Sequence, residues 1–226
     1  MDNSFTYIIT AGGIGKRMGG ELPKQFLEIK GKPILVWTLE QIHRISPSAK
    51  ILVTLPRDWV FYWEELLNKF NIKIDHQVIQ GGKERFDSIK GALQYVQTNF
   101  VAVHDGVRPF VSKETIQKLE NAVRQFGQVI PVIDLKDSIR RITSLHSEAV
   151  NRSDYKLVQT PQLFKTDVLK QAYNQEFQSY FTDDASVVES LDLPIHLISG
   201  NSENIKVTDP IDLKLAEFFI DQMFTT

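Results

Sequence analysis

Five of the chain's 12 glycines lie between Gly12 and Gly20, in the run Ala11-Gly12-Gly13-Ile14-Gly15-Lys16-Arg17-Met18-Gly19-Gly20, directly after an apolar, β-branched segment. Glycines let backbone N–H groups approach an anion closely, and Lys16, Arg17 and Lys24 add fixed positive charge beside them. The combination describes a phosphate cradle; the plainer alternative is a flexible strand-to-helix turn whose cations face water. Spacing decides which cradle. A Walker A loop needs Gly-Lys followed by Ser or Thr, and here Gly15-Lys16 is followed by Arg17. The dinucleotide fingerprint begins at Gly13 and Gly15 but meets Met18 where its third glycine belongs, which makes an NAD enzyme a weak second class.

Further along, His104-Asp105-Gly106-Val107-Arg108-Pro109 closes another apolar run and offers an acid and a base at the end of a strand. Asp105 could hold a Mg²⁺ that bridges nucleotide phosphates, since that ion takes one or two carboxylates plus phosphate oxygens and water. An Asp–Arg pair that merely shapes a turn reads equally well. Gly81-Gly82-Lys83-Glu84-Arg85-Phe86-Asp87-Ser88 repeats glycines before a helix, where Ser88 could read the edge of a base or simply belong to a helix start. Lys206, between Ile205 and Val207, taken alone reads as a surface lysine. The five histidines, His43, His76, His104, His146 and His196, show no metal-ligand spacing, and no Gly-x-Ser-x-Gly elbow marks a serine nucleophile.

These groups need elements to carry them. Short apolar runs at residues 6–10, 51–55, 74–79, 100–104, 128–132 and 195–199 read as strands. Between them, Ile34, Leu35, Trp37, Thr38, Leu39 and Ile42 trace one helix face that ends near Ser46-Pro47. Residues 59–70, 85–97, 113–126, 166–174, 182–191 and 211–223 supply the remaining helices. Strands alternating with helices imply a mostly parallel sheet covered on both faces. The alternation lapses over residues 134–159, where Asp137, Arg140, Arg141, His146, Glu148, Asn151, Arg152 and Asp154 crowd together without a core face. This stretch is expected to be a protruding hairpin or arm that finds its partner elsewhere, a swapped arm in a homodimer being one answer.

Composition excludes several classes. The 226 residues suit one large domain, and 42% hydrophobic with 24% charged is ordinary for a globular chain. The 26 basic and 28 acidic side chains leave a net charge of −2, so no global field draws a nucleic-acid polymer or an anionic membrane. With no cysteine there is no disulfide, thiolate metal site or cysteine nucleophile. The opening Met1-Asp2-Asn3-Ser4 lacks a secretory pattern, and no apolar run approaches the ~18 residues of a membrane span, so a cytoplasmic location is expected.

Taken together, the loop from Ala11 to Lys24 with its continuation Gln25-Phe26, the run His104 to Pro109, Thr182-Asp183-Asp184-Ala185-Ser186, and Asn204 to Thr208 resemble the 2-C-methyl-D-erythritol 4-phosphate cytidylyltransferase family nearly end to end. The resemblance implies an α/β fold, a Rossmann-like nucleotidyltransferase core of one domain over residues 1–226 with a mostly parallel sheet and a protruding β-arm, residues 134–159, that joins a homodimer. It implies an enzyme that couples CTP to 2-C-methyl-D-erythritol 4-phosphate with Mg²⁺ and releases pyrophosphate, in the non-mevalonate route to isoprenoids. By motif, Ala11, Gly12, Gly13, Gly82, Ser88 and Asp105 would hold the nucleotide, Asp105 also lying near the metal; Arg17, Lys24 and Lys206 would act on the phosphates. Arg108 and Thr182 would meet the second substrate, with Ser138 and Arg152 reaching from the arm into the neighbouring subunit's site. Thr10-Ala11-Gly12-Gly13, where the family usually has Pro-Ala-Ala-Gly, and Gly106-Val107, where it usually has Ala-Ala, lean toward the sister ribitol 5-phosphate enzymes, whereas Thr182 to Ser186 leans back. A noncatalytic nucleotide-binding dimer is the third alternative; the retained Arg17, Lys24 and Lys206 argue against it.

Overall fold

The computed structural model describes residues 4–13, 22–144 and 146–224. Its strands in chain order are β1 (Phe5–Thr10), the short pair β2 (Glu28–Ile29) and β3 (Lys32–Pro33), β4 (Lys50–Leu55), β5 (Gln77–Gln80), β6 (Phe100–Asp105), β7 (Gln128–Asp134), β8 (Arg140–Ile142), β9 (Ser147–Ala149), β10 (Lys156–Val158), β11 (Gln162–Lys165) and β12 (His196–Ser199). The helices are α1 (Ile34–Ile45), α2 (Val60–Lys69), α3 (Arg85–Leu93), α4 (Lys113–Phe126), α5 (Thr166–Ala172), α6 (Asp184–Glu189) and α7 (Pro210–Phe224).

Strands β5, β4, β1 and β6 lie side by side and parallel, with Ile9 of β1 opposite Val53 on one side and His104 on the other. Next to β6 runs β11, antiparallel, followed by β7. Val129 pairs with both Leu163 and His196, so β11 and β12 occupy opposite edges of β7; β10 continues along the β11 edge. The central strand β1, apolar but for Thr6 and Thr10, is covered on both faces. Tyr7 and Ile9 pack with Leu35, Leu39, Ile116 and Leu119, while Ile8 packs on the other face with Phe86, Ile89 and Leu93.

The helix boundaries follow from local chemistry. In α4 the Ser112 side chain accepts the Thr115 N–H, and Gly127 ends the helix at φ 85°, a conformation that favours glycine. A third cluster joins Ile29, Ile34, Trp37, Val107, Phe110, Val207, Ala216 and Ile220. It matters for the site, because it pins the segment around Lys206 and helix α7 against the turn that follows β6, with Val207 N donating to Val107 O at 3.0 Å.

Several expectations need correction. The strand expected at 74–79 begins only at Gln77, because His76 is drawn aside: its Nδ1–H donates to Ile74 O and its Nε2 accepts from Trp63 Nε1. Helices α3 and α6 are shorter than the periods at 85–97 and 182–191 suggested; Asp183 is the N-cap of α6, which leaves Thr182 outside it. Strand β11 was not foreseen at all. The stretch expected as an arm over 134–159 also gives its ends to the main sheet, as Asp134 pairs with Lys156 and Val132 with Val158. What protrudes is residues 135–155, holding the β8–β9 hairpin.

Candidate active site

Parallel strands end together, and here the carboxyl ends of β1, β4, β5 and β6 surround a cavity of about 330 Å³. Gly12 and Gly13 form one wall, exposed, with open space around Gly12. Lys24 crosses beside them, its Cε 3.2 Å from where a side chain on Gly13 would begin. The sequence around Lys24 explains its direction. Phe26 is buried against Trp59, Tyr62 and Trp63, and Gln25 donates from Nε2 to Ala11 O at 2.6 Å, which ties the 3-10 turn of Lys24–Phe26 to the end of β1. Arg17 and Lys16, assigned to the same loop from sequence, lie outside the described residues.

A second wall comes from Gly81, Gly82 and the start of α3. Gly82 N donates to Ser88 Oγ at 3.0 Å and Ser88 Oγ passes its hydrogen to Glu84 O, so Ser88 shapes the glycine loop and leaves a ligand at most a lone pair. Glu84 and Asp87 close a capping box over the first turn of α3.

Asp105 is the electrostatic centre. Its Oδ2 receives Arg108 Nε at 3.0 Å and Lys206 Nζ at 3.1 Å, and Arg85 Nε stands 3.9 Å from Oδ1. Burial pushes the Asp105 carboxyl upward, but Lys206, Arg85 and Arg108 outweigh it and hold the group well below the usual carboxylate range. Arg85 is locked in turn by two hydrogen bonds to Asp184, at 3.0 and 2.7 Å, and Asp184 accepts Tyr173 OH at 2.6 Å. Burial lowers the Arg85 guanidinium's basicity and the two carboxylates more than restore it. The cavity wall carries Lys24, Lys83, Arg85 and Lys206 against Glu84 and Asp105, a local excess of two positive charges in a chain whose net charge is −2. Such a wall selects an anion.

Of the residues singled out from sequence, Ala11, Gly12, Gly13, Lys24, Gly82, Ser88, Asp105 and Lys206 therefore share one cavity, with Arg108 held against Asp105 beneath it. Thr182 is exposed and lines a smaller cavity of about 140 Å³ on the far side of Glu84 and Arg85. Ser138 and Arg152 are exposed on the protruding segment, where Arg152 donates to Lys136 O, and neither lines the main cavity. Sequence reasoning misses Arg85 and Asp184, because an arginine in a first helical turn and an aspartate after an N-cap carry no distinguishing local signal. Among the described residues no group of three His, Cys, Asp or Glu side chains could hold a metal. Asp105 offers one carboxylate whose Oδ2 already meets two cations, so a Mg²⁺ held beside it would take most of its ligands from phosphate oxygens and water.

A cationic crevice at the carboxyl ends of parallel strands, walled by two glycine loops, defines a nucleotide-handling α/β protein. The chain belongs to the 2-C-methyl-D-erythritol 4-phosphate cytidylyltransferase family, whose model matches residues 5–222, and is thus a nucleotidyltransferase enzyme. A relative of that name from Bacteroides fragilis is 52% identical over 214 residues, which cover 93% of this chain and 97% of the relative. The 4-diphosphocytidyl-2C-methyl-D-erythritol synthase of Anaerococcus prevotii superposes with a TM-score of 0.82 at 28% identity, covering 96% of both chains. The bifunctional IspDF of Campylobacter jejuni superposes with a TM-score of 0.80 at 28% identity over 94% of this chain, which spans 54% of that longer protein. No helix among the described residues is long and apolar enough to cross a membrane.

Proposed function

We propose that this enzyme transfers the cytidylyl group of CTP to 2-C-methyl-D-erythritol 4-phosphate. The observation that carries the reading is the clustering of Lys24, Arg85 and Lys206 in one crevice with the two glycine walls. A phosphate oxygen of the polyol attacks the α-phosphorus of CTP; that P–O bond forms as the bond to the β-phosphate bridging oxygen breaks, and pyrophosphate leaves in line. The attacking phosphate is already an anion, so no base need remove a proton. The barrier is repulsion between two polyanions, which positioning and cationic stabilisation lower. Lys24 faces the triphosphate side of the crevice, and Lys206 is the cation that meets the second phosphate, with Arg108 held on the same carboxylate. Mg²⁺ bound by the phosphates near Asp105 would neutralise further charge on the leaving group.

A packing detail removes one argument for ribitol 5-phosphate. Gly106, one of the departures that leaned toward ribitol 5-phosphate, lies outside the cavity wall: a Cβ there would meet Leu35 Cδ1 at 2.9 Å and Thr10 O at 3.0 Å. A larger residue there would press on Leu35 and the end of β1 rather than on a ligand, so this departure bears on local packing and not on the choice of polyol. The arm belongs to the same proposal. Ile142, Tyr155, Leu157 and Val158 are exposed on or beside it, as expected of a surface that a second subunit covers, and a homodimer would bring Ser138 and Arg152 to the neighbouring site.

The direct test is pyrophosphate release with CTP, Mg²⁺ and each polyol phosphate in turn. Product is expected only with 2-C-methyl-D-erythritol 4-phosphate. Faster release with ribitol 5-phosphate would overturn the polyol assignment, and release without any polyol would mark a nucleotide hydrolase.

A further inference from the structure

His104 is wholly buried, lines no part of the cavity, and stands next to Asp105 in the sequence. Its ring is held at both nitrogens. Nε2 lies 3.0 Å from Arg108 O, and Nδ1 lies 2.9 Å from Thr160 Oγ. A carbonyl oxygen can only accept, so Nε2 carries the hydrogen and Nδ1 must be an acceptor. Thr160 therefore gives its hydroxyl hydrogen to Nδ1, which leaves its oxygen free to accept the Asp105 N–H at 3.0 Å. One direction of donation thus runs from the Asp105 backbone through Thr160 and His104 to the Arg108 backbone. Thr160 also accepts Asn204 Nδ2 on its carbonyl at 2.8 Å, and Asn204 O accepts Arg108 Nη1 at 2.8 Å, two residues before Lys206.

We propose that His104, as the neutral Nε2–H tautomer, is a positioning residue that fixes both ends of the Asp105–Arg108 turn and thereby the place where these two charges meet Lys206 and the substrates. The inference rests on the proposed transfer only for what is being positioned. Asp105 and Arg108 are the charged groups nearest the ring, and the geometry itself sets the tautomer: the Arg108 carbonyl takes the Nε2 hydrogen while the Thr160 hydroxyl hydrogen points to Nδ1. Histidine suits the place because it offers one donor and one acceptor on a rigid ring. Asparagine can present an acceptor near the Nδ1 position but is too short for Arg108 O. Glutamine can reach Arg108 O as a donor but leaves Thr160 without its acceptor.

The test compares H104N, H104Q, T160S and T160V with wild type by thermal unfolding, CTP binding, steady-state kinetics and nitrogen NMR of labelled histidine. Wild type is expected to show a neutral Nε2–H ring for His104 at neutral pH. Folded H104N and H104Q should each lose roughly tenfold or more in kcat. CTP affinity should stay within about threefold of wild type, as the loss is one of alignment in the transition state. T160S should keep the activity that T160V loses, and the H104Q/T160V double variant should be no worse than its poorer parent, since both break the Thr160–His104 bond and T160V alone also removes the acceptor for the Asp105 N–H. The Asp105 backbone amide shift should move in H104Q and T160V alike. A Nδ1–H or charged ring, wild-type kcat in folded H104N and H104Q, or additive losses in the double variant would overturn the proposal. If wild type releases no pyrophosphate, the transfer reaction fails, while the tautomer and the Asp105 amide shift still decide the staple.

Discussion

Gly82→Ala should damage the protein where Gly12→Ala does not, although both glycines stand in walls of one cavity. A Cβ on Gly82 would lie 2.3 Å from Asp87 Cβ and 3.1 Å from the Asp87 carbonyl carbon. No rotamer change relieves this, because the nearest atom is the first of the Asp87 side chain, and the backbone carbon behind it belongs to α3. The loop must open by about 1 Å to reach ordinary contact. Its 3.0 Å hydrogen bond from Gly82 N to Ser88 Oγ then breaks, and the Glu84–Asp87 capping box beside it is strained. Overpacking of this kind costs roughly 1–3 kcal/mol and a weakened cap about 1 kcal/mol more. With a urea dependence of roughly 2–3 kcal/mol per molar, the unfolding midpoint should fall by about 1 M. CTP affinity should fall with it, since the displaced wall lines the cavity. A Cβ on Gly12 has nothing within 4 Å, so Gly12→Ala should keep its midpoint. Urea titration followed by tryptophan fluorescence measures both. Equal midpoints for wild type and Gly82→Ala, or equal losses in the two variants, would refute the steric argument.

Lys24→Ala should lower turnover by roughly 10²-fold with little change in unfolding midpoint, as a cation beside Gly13 stabilises charge rather than filling core; near-normal turnover in a folded variant removes it from the mechanism. Asp105→Asn should cost about 1–3 kcal/mol at neutral pH, below the full penalty for breaking a buried pair because Lys206 and Arg85 are each partly exposed. The folded Asp105 carboxyl is held below its unfolded value, so its contribution is complete above the ordinary range near about 4 and fades as pH drops below it. The gap between wild type and variant in urea midpoint should therefore narrow from pH 7 to pH 3, and a constant gap would contradict the ionic origin. If Arg152 serves the neighbouring site, inactive Arg152→Ala and Lys24→Ala chains should regain pyrophosphate release when subunits exchange; mixed dimers that form and stay inactive would place Arg152 elsewhere.

The elements most legible in the sequence were those with a single strong cause. Helix α4 spans 113–126 as expected because Ser112 and Gly127 punctuate a clear amphipathic run, and β1 is legible because burial on both faces leaves it largely apolar, with Thr6 and Thr10 as its polar members. Strand β11 was not: Gln162 and Lys165 flank only Leu163 and Phe164, and what makes these residues a strand is the vacancy between β6 and β7, a tertiary fact. The site divides in the same way. Lys24 beside Gly13 follows from a loop close in sequence, whereas Asp105 and Lys206 meet across 101 positions and could be associated only through the order of motifs. Arg85 and Asp184, 99 positions apart, needed the fold to pair them.

The three cations on Asp105 are not equivalent, and the difference suggests how the site takes up a second phosphate. Arg108 is 12% exposed and bound to Asn204 O as well as to Asp105; Arg85 is 35% exposed but fastened bidentately to Asp184. Lys206 is 42% exposed, carries its charge on a flexible stem, and is held to the cluster by Asp105. On the proposed function, an arriving phosphate is expected to draw Lys206 first, with Arg108 and Arg85, each fastened to a second partner, left on the carboxylate. In this arrangement Asp105 need not touch the reacting atoms to matter: it holds a lysine at the rim of the crevice, within reach of an incoming anion, on a turn that His104, Thr160 and the Val107–Val207 contact fix.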